Sequence, residues 1–226
     1  MWVAEKSGLM LGTQSADAGC MAAGKLTKLA TSAPLLVIWG GAVAIAAGGL
    51  VRYQMTSGAP GRAAPHSWPA GLGDIARKPG RLTLVMTLHP KCPCSRASLH
   101  ELSQLMTRAA EKMDAHILFV KPEGAPADWC DGHLWKQAKD IPGVSVSIDS
   151  DAKDASIFGA TTSGQVIVYD ASGAIRFSGG ITDGRGHEGD NAGLSAILGL
   201  ILDGKTAVST TPVYGCSLGV CRLKKQ

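Results

Sequence analysis

Cys92 and Cys94 stand one residue apart in His89-Pro90-Lys91-Cys92-Pro93-Cys94-Ser95, where a strand-like run gives way to a helix-like one. Before them, Arg81–Leu88 alternates and is rich in strand formers. From Ser95 to Met113 the spacing becomes helical, with Leu99, Leu102, Met106, Ala109 and Met113 on one stripe. A thiol at a helix N-terminus meets unpaired backbone N–H groups and the positive end of the helix dipole, and both favour thiolate. Such a thiolate is a nucleophile or a soft-metal ligand. The chain is therefore read as a thiol-chemistry protein, against the plainer reading of two buried cysteines.

Three kinds of chemistry follow. Thiol–disulfide exchange needs an accessible thiolate and a resolving thiol. Cys92, followed by Pro93, is the expected nucleophile, and Cys94 is the thiol expected to resolve a mixed disulfide. A bridge across one residue closes a small, strained ring, so a distant thiol is the alternative. Cys216, in Pro212-Val213-Tyr214-Gly215-Cys216, can return toward the site, or it can pair with Cys221. Alternatively, two thiolates one residue apart suit Cu(I), with His187 of the glycine-rich loop Gly179–Asn191 as a third ligand. Arg185, in the same loop, favours nearby thiolates, and with His187, Glu188 and Asp190 it offers an anion-binding or partner-docking surface. Asp190 and Asn191 precede an apolar run and read as helix caps. Ser98 and Glu101 have capping-box spacing, and Cys130 and Cys20 are expected to play no part.

Composition sets the context. The chain has 226 residues, a formal net charge of +4 and scattered basic residues, so nothing supports nucleic-acid binding. Its six cysteines are too few for a disulfide scaffold at this length, and their spacing fits no zinc ribbon or finger. Ala33–Val51 carries no charge and is long enough to cross a bilayer, with Pro34 suited to a first helical turn. A signal-peptide core, with Ala44-Ile45-Ala46 as a cleavage-like site, and a buried helix are the competing readings. Lys25 and Lys28 face Arg52 and Arg62 across this span, a nearly even balance. The expected orientation places the N-terminus in the cytoplasm, because a single early span exports the chain beyond it and reactive cysteines suit an oxidising compartment.

Along the chain, residues 1–32 are expected to be a disordered cytoplasmic tail, 33–51 a transmembrane helix and 52–80 a Gly/Ala/Pro-rich linker. A folded domain over 81–205 and a C-terminal tail over 206–226 follow. Within the domain, strands are expected at 115–120, 144–148, 165–169 and 174–178, and helices at 127–139, 151–158 and 191–202. Asp170-Ala171-Ser172-Gly173 is the turn of a hairpin. The order β-α-β-α-β-α-β-β-α gives an α/β domain with a mixed central sheet flanked by helices.

A strand running into a Cys-bearing helix, then Phe158-Gly159-Ala160, a hairpin and a last helix, resembles the thioredoxin superfamily, in the style of membrane-anchored TlpA and ResA proteins. The segments HPKCPCSRAS, TTSGQVIVYDASGAIRFSGGITDGRGHEGDN and TPVYGC resemble bacterial RedB-type thioredoxin-like proteins. The resemblance implies a thioredoxin-like fold and a single-pass inner-membrane protein with its C-terminal domain in the periplasm. It also implies thiol–disulfide exchange with protein thiols or disulfides there, without a cofactor, at Cys92 and Cys94 supported by Pro93, Ser95, Arg185 and His187. The paired cysteines and later histidine also resemble copper-delivering Sco-type proteins, which would make the chain a metallochaperone. A non-catalytic thioredoxin-like interaction domain is the third reading. Two departures stand out. Thioredoxins use Cys-x-x-Cys, whereas here Ser95 falls where the second cysteine would be. They also place a cis-proline before the hairpin, where this chain has Gly164.

Overall fold

The computed structural model describes residues 18–218 except 60, 74 and 110, with side chains from residue 33 onward. Cys221 and the Cys20 side chain thus lie outside the described residues. Ten elements follow in order. They are α1 (Ala18–Gln54), β1 (Leu82–Leu88), α2 (Ser95–Ala109), β2 (Met113–Lys121), α3 (His133–Lys139), β3 (Val144–Ser150), α4 (Lys153–Ile157), β4 (Gln165–Tyr169), β5 (Ile175–Gly179) and α5 (Ala192–Asp203).

The chain divides into two units, 1–50 and 51–226. The first contains most of α1. Its helical backbone begins at Ala18, ahead of the expected Ala33, so Pro34 lies inside the helix rather than in its first turn. Ala33–Gln54 is long and apolar enough to cross a membrane. Leu35, Leu36, Val37, Ile38, Trp39 and Ile45 are all exposed, as in a helix that is apolar on every side.

In the second unit, a five-stranded mixed sheet runs in the order β3-β2-β1-β4-β5. β1, β2 and β3 are parallel, while β4 is antiparallel to both β1 and β5. β1 is central and buried on both faces, which is why its sequence is apolar almost without interruption. Leu84, Met86 and Leu88 point to one face, under Leu99, Leu102 and Met106 of α2 and Leu194, Ile197 and Ile201 of α5. Val85 points the other way, to Leu118, Ile167, Tyr169 and Phe158.

Among the described residues, the only helix on that second face is the short α4, so it needs another cover. Residues 55–80, expected as a linker, supply it. Ala64 and Ile75 are buried there, and Trp68 lies edge-on to Phe158 and Tyr169, at 5.7 and 5.2 Å between ring centroids. The Tyr169 hydroxyl donates to the Pro65 carbonyl at 3.0 Å, and Trp68 N–H donates to Gly173 O at 2.8 Å. Composition marked a linker because Gly, Ala and Pro dominate, but the few apolar residues among them decide its fate. The tail is packed as well. Thr210 bridges Ser178, Ser217 bridges Thr162, and Leu218 is buried.

Smaller differences have local causes. Met113 begins β2 instead of ending the helical stripe, because α2 stops at Ala109 and Lys112 N–H turns back to Ala109 O. The helix expected from residue 127 starts at His133, after successive turns that include Trp129 and Cys130. Ser98 lies within α2 rather than at its start, so Ser98 and Glu101 form no capping box.

Trp68→Ala should destabilise the domain by about 1.5–3 kcal/mol, the worth of a large apolar side chain taken out of water. Urea unfolding should show a lower midpoint at constant slope. An unchanged midpoint would mean that residues 55–80 do not hold the sheet.

Candidate active site

Strand directions bring the site together. β1 ends at Leu88, and the antiparallel β4 begins beside it, with Thr87 opposite Gln165. β5 runs parallel to β1 and so delivers the loop after Gly179 to the same end. The carboxyl end of a central strand is where open α/β sheets place their chemistry.

Cys92 emerges there at the turn into α2. Its N–H donates to His89 O at 3.1 Å, and its carbonyl accepts from Ser95 N–H at 3.1 Å. His89 N–H donates to Ser163 Oγ at 2.8 Å, and the Ser163 and Ser95 hydroxyls are 2.8 Å apart. This network ties the segment before β4 to the first turn of α2. The Cys92 side chain is only 1% exposed. Burial pushes its thiol pKa up, but the Cys216 thiol, the Cys216 N–H at 3.4 Å, the Ser95 hydroxyl and the Cys94 N–H all donate toward its sulfur. The net result is a pKa below that of an ordinary thiol. Arg185, which the sequence suggested, is not among the main causes.

The two neighbouring thiols are displaced upward. Cys94 is raised by burial, then by the charge of Cys92 and a hydrogen bond to it, while Arg185 opposes. Cys216 is pushed up to about 12 by burial, by its hydrogen bond to Cys92 and by the charges of Cys92 and Cys94, again against Arg185. Of the three clustered sulfurs, Cys92 is thus the one whose charged form is favoured. All three cysteines, together with Cys130, are free thiols.

Arg185 reaches the site through the strap that bears Cys216. Its guanidinium donates to Gly215 O at 2.6 Å and to Thr56 O at 3.2 Å. Gly215 passes so close to Ser163 that an added Cβ would collide with the Ser163 carbonyl. Lys91 instead lies over the Trp129 ring, 3.8 Å from its centroid, and His89 meets the same ring edge-on. Burial and the Lys91 charge lower the His89 pKa, favouring the neutral imidazole. Pro93 is exposed beside Cys92, at a helix start where its missing N–H costs nothing.

His187 is exposed, with its N–H on Gly184 O at 3.3 Å. Among the described residues, no group of three or more His, Cys, Asp or Glu side chains is placed to hold a metal ion. Glu101 accepts from Gly189 N–H at 2.7 Å, pinning the 179–191 loop to α2. Asn191 caps α5, its side chain accepting from Leu194 N–H at 2.8 Å, whereas Asp190 is exposed. Cys130 is buried and its pKa is raised, chiefly by that burial, which suits an inert thiol. Pairing of Cys216 with Cys221 lies outside the described residues. Gly164 has φ +90° and donates its N–H to Thr87 O at 2.8 Å, and proline can do neither.

No protein-family model matches this sequence, and no curated protein matches it. Solved structures do. An uncharacterized conserved protein from Geobacillus kaustophilus matches at TM-score 0.53 and 18% identity, over 71% of this chain and 91% of the other. A hypothetical protein from Sinorhizobium meliloti matches at TM-score 0.52 and 18% identity, over 62% and 79%. The exposed lipoprotein thioredoxin Etrx1 of Streptococcus pneumoniae matches at TM-score 0.40 and 17% identity, over 54% and 84%. With β1-α2-β2 building one half of the sheet and β4-β5-α5 the other, and α2 and α5 packed together on one face, the topology decides the class.

The fold is thioredoxin-like. Within this thioredoxin-like frame, the cysteine pair occupies the β1-to-α2 junction as expected, and the third thiol arrives from after α5. Ser163, Trp129 and Gly215 were not singled out from the sequence. Gly215 and Trp129 each adjoin a cysteine, Cys216 and Cys130, while Ser163 carried no signal there.

Cys216→Ala keeps the backbone donor but removes the thiol donor from Cys92. The pH midpoint of thiolate absorbance at 240 nm, assigned to Cys92 by Cys92→Ser, should therefore rise. A midpoint that stays put would show that Cys216 does not stabilise the thiolate.

Proposed function

We propose that this chain is a membrane-anchored thiol–disulfide oxidoreductase acting outside the cytoplasm, in the periplasm, on protein thiols or disulfides. The observation that carries the reading is Cys92 itself. Its pKa is lowered inside a buried site, and two further thiols hydrogen-bond to it. A thiolate attacks one sulfur of a disulfide, a mixed disulfide forms, and the other sulfur leaves as a thiolate. A second thiol of the cluster then attacks Cys92 Sγ and frees the substrate. Two thiols supply two electrons and two protons, so exchange requires no cofactor.

Cys92 is the attacking group. Cys94 and Cys216 are the two thiols in reach to complete the exchange, with Ser95 and Arg185 supporting them. A copper carrier built on Cys92, Cys94 and His187 has less support, because His187 is exposed and no three-ligand group is present among the described residues. A purely structural domain would have no use for a thiolate held against two thiols. The apolar helix Ala33–Gln54 supports the anchor, and reactive cysteines fit an oxidising compartment.

In detergent micelles the full chain should catalyse insulin reduction by dithiothreitol, and Cys92→Ser should reduce the rate at least a hundredfold. A folded wild-type chain inactive on insulin and on small disulfides would defeat the proposal. In cells the chain should stay with membranes through a high-salt wash, and its release by salt would remove the anchor.

A further inference from the structure

Residues 209–218 form a strap with no regular structure beyond isolated bridges, and it is fastened at points along its length. Ser178 N–H donates to Ser209 O at 2.9 Å, the Thr211 hydroxyl to Gly180 O at 2.7 Å, and Gly58 N–H to Val213 O at 2.8 Å. Arg185 holds Gly215 O at 2.6 Å. Ser163 N–H donates to Cys216 O at 2.8 Å, and Leu218 N–H to Thr161 O at 2.7 Å. Leu218 is buried with Val120, Ala152, Ala155 and Ala160. Together these contacts set Cys216 against Cys92 Sγ.

We infer that this strap is both the redox partner and the gate of the site: Cys216 rather than Cys94 takes the disulfide with Cys92, and the strap must lift before an outside disulfide reaches Cys92. The inference rests on the exchange activity proposed above.

Three observations carry it. Cys92 is 1% exposed in the fastened state, so an external sulfur cannot approach it in line. Cys92 and Cys94 are both fixed in the turn that leads into α2, with their carbonyls accepting from Ser95 and Ser98 N–H. A bridge across Pro93 would have to be made within that turn, whereas Cys216 comes from a separate segment free of this constraint. Cys216 is also the most exposed of the three thiols, so a bridge ending on it remains open to a following reductant.

The electrons balance. With the strap lifted, water replaces the Cys216 donors while the Ser95 hydroxyl and Cys94 N–H remain. The Cys92 thiolate attacks a substrate disulfide and forms a mixed disulfide, and the other substrate sulfur leaves as a thiolate that takes a proton from water. The burial that chiefly raised the Cys216 pKa is relieved in the lifted strap, and the Cys92 hydrogen bond and charge that added to it are then gone. Cys216 gives its proton to solvent, attacks Cys92 Sγ and forms the Cys92–Cys216 disulfide. The second substrate sulfur departs as a thiolate and is protonated. The substrate gains two electrons and two protons, and a dithiol donor later returns them to the protein. Refastening of the strap and expulsion of product are one movement.

The test uses the full chain in detergent micelles, equilibrated in glutathione redox buffer, quenched with acid and mapped by mass spectrometry. A predominant Cys92–Cys216 bridge is expected, and a predominant Cys92–Cys94 or Cys216–Cys221 bridge overturns the assignment. The gate is read by iodoacetamide alkylation of Cys92 in the reduced chain. Gly215→Ala, which forces the strap off Ser163, should accelerate alkylation at least tenfold. Leu218→Ala, which loosens its far end, should do so in the same direction. An unchanged rate in folded variants overturns the gate. If Cys216→Ser reduces insulin at the wild-type rate, the strap proposal fails and the oxidoreductase stands. If the Cys92–Cys216 bridge forms but no disulfide substrate is ever reduced, the strap stands and the oxidoreductase reading fails.

Discussion

A thiolate withdrawn from water has to be given donors, and each segment meeting at the end of β1 contributes to supplying Cys92. The entry to α2 gives the Cys94 N–H and the Ser95 hydroxyl, and the strap gives the thiol and N–H of Cys216. The segment before β4 holds the strap in place through Ser163. Remove these and desolvation alone would keep Cys92 a neutral, inert thiol. The helix end is therefore only part of the cause, and charge plays little role at this sulfur. The nearby cations are committed elsewhere, Lys91 to Trp129 and Arg185 to Gly215 and the neighbouring thiols.

The same arrangement shows why the sheet has to be mixed. A parallel β4 would start at the far end of β1 and carry Ser163 and Gly164 away from Cys92. Its antiparallel direction puts them beside Thr87, where Gly164 N–H finds a carbonyl and Ser163 links His89 to Ser95. Glu101 then secures the following loop to α2 from within the helix.

Regular periodicity is legible in the amino-acid sequence itself. The bounds of β4 and the cap at Asn191 agree with the sequence reading because alternation and capping are local effects. The readings that failed depended on partners distant in sequence. Residues 55–80 look like a linker until the bare sheet face beside Tyr169 is known to need Trp68. Ser98 and Glu101 have capping-box spacing, yet the helix starts earlier and Glu101 serves Gly189. The cysteine pair was visible at the junction, since strand and helix patterns meet there. Ser163 and Trp129 were not, because a serine in a loop and a tryptophan among turns have no spacing to read.

The separation between Cys92 and Cys216 has a consequence for biosynthesis. They lie 124 residues apart, and the sheet between them must form before the strap has anything to fasten to. A ribosome making this chain exposes the cysteine pair long before residue 216 exists. During that interval Cys92 lacks two of the donors that favour its anion, so the nascent thiol is the less reactive one. Full nucleophilicity arrives only when folding has advanced far enough to bury it. Chemical potency and concealment are thus acquired in a single late event, which spares the growing chain a reactive sulfur with no structure around it.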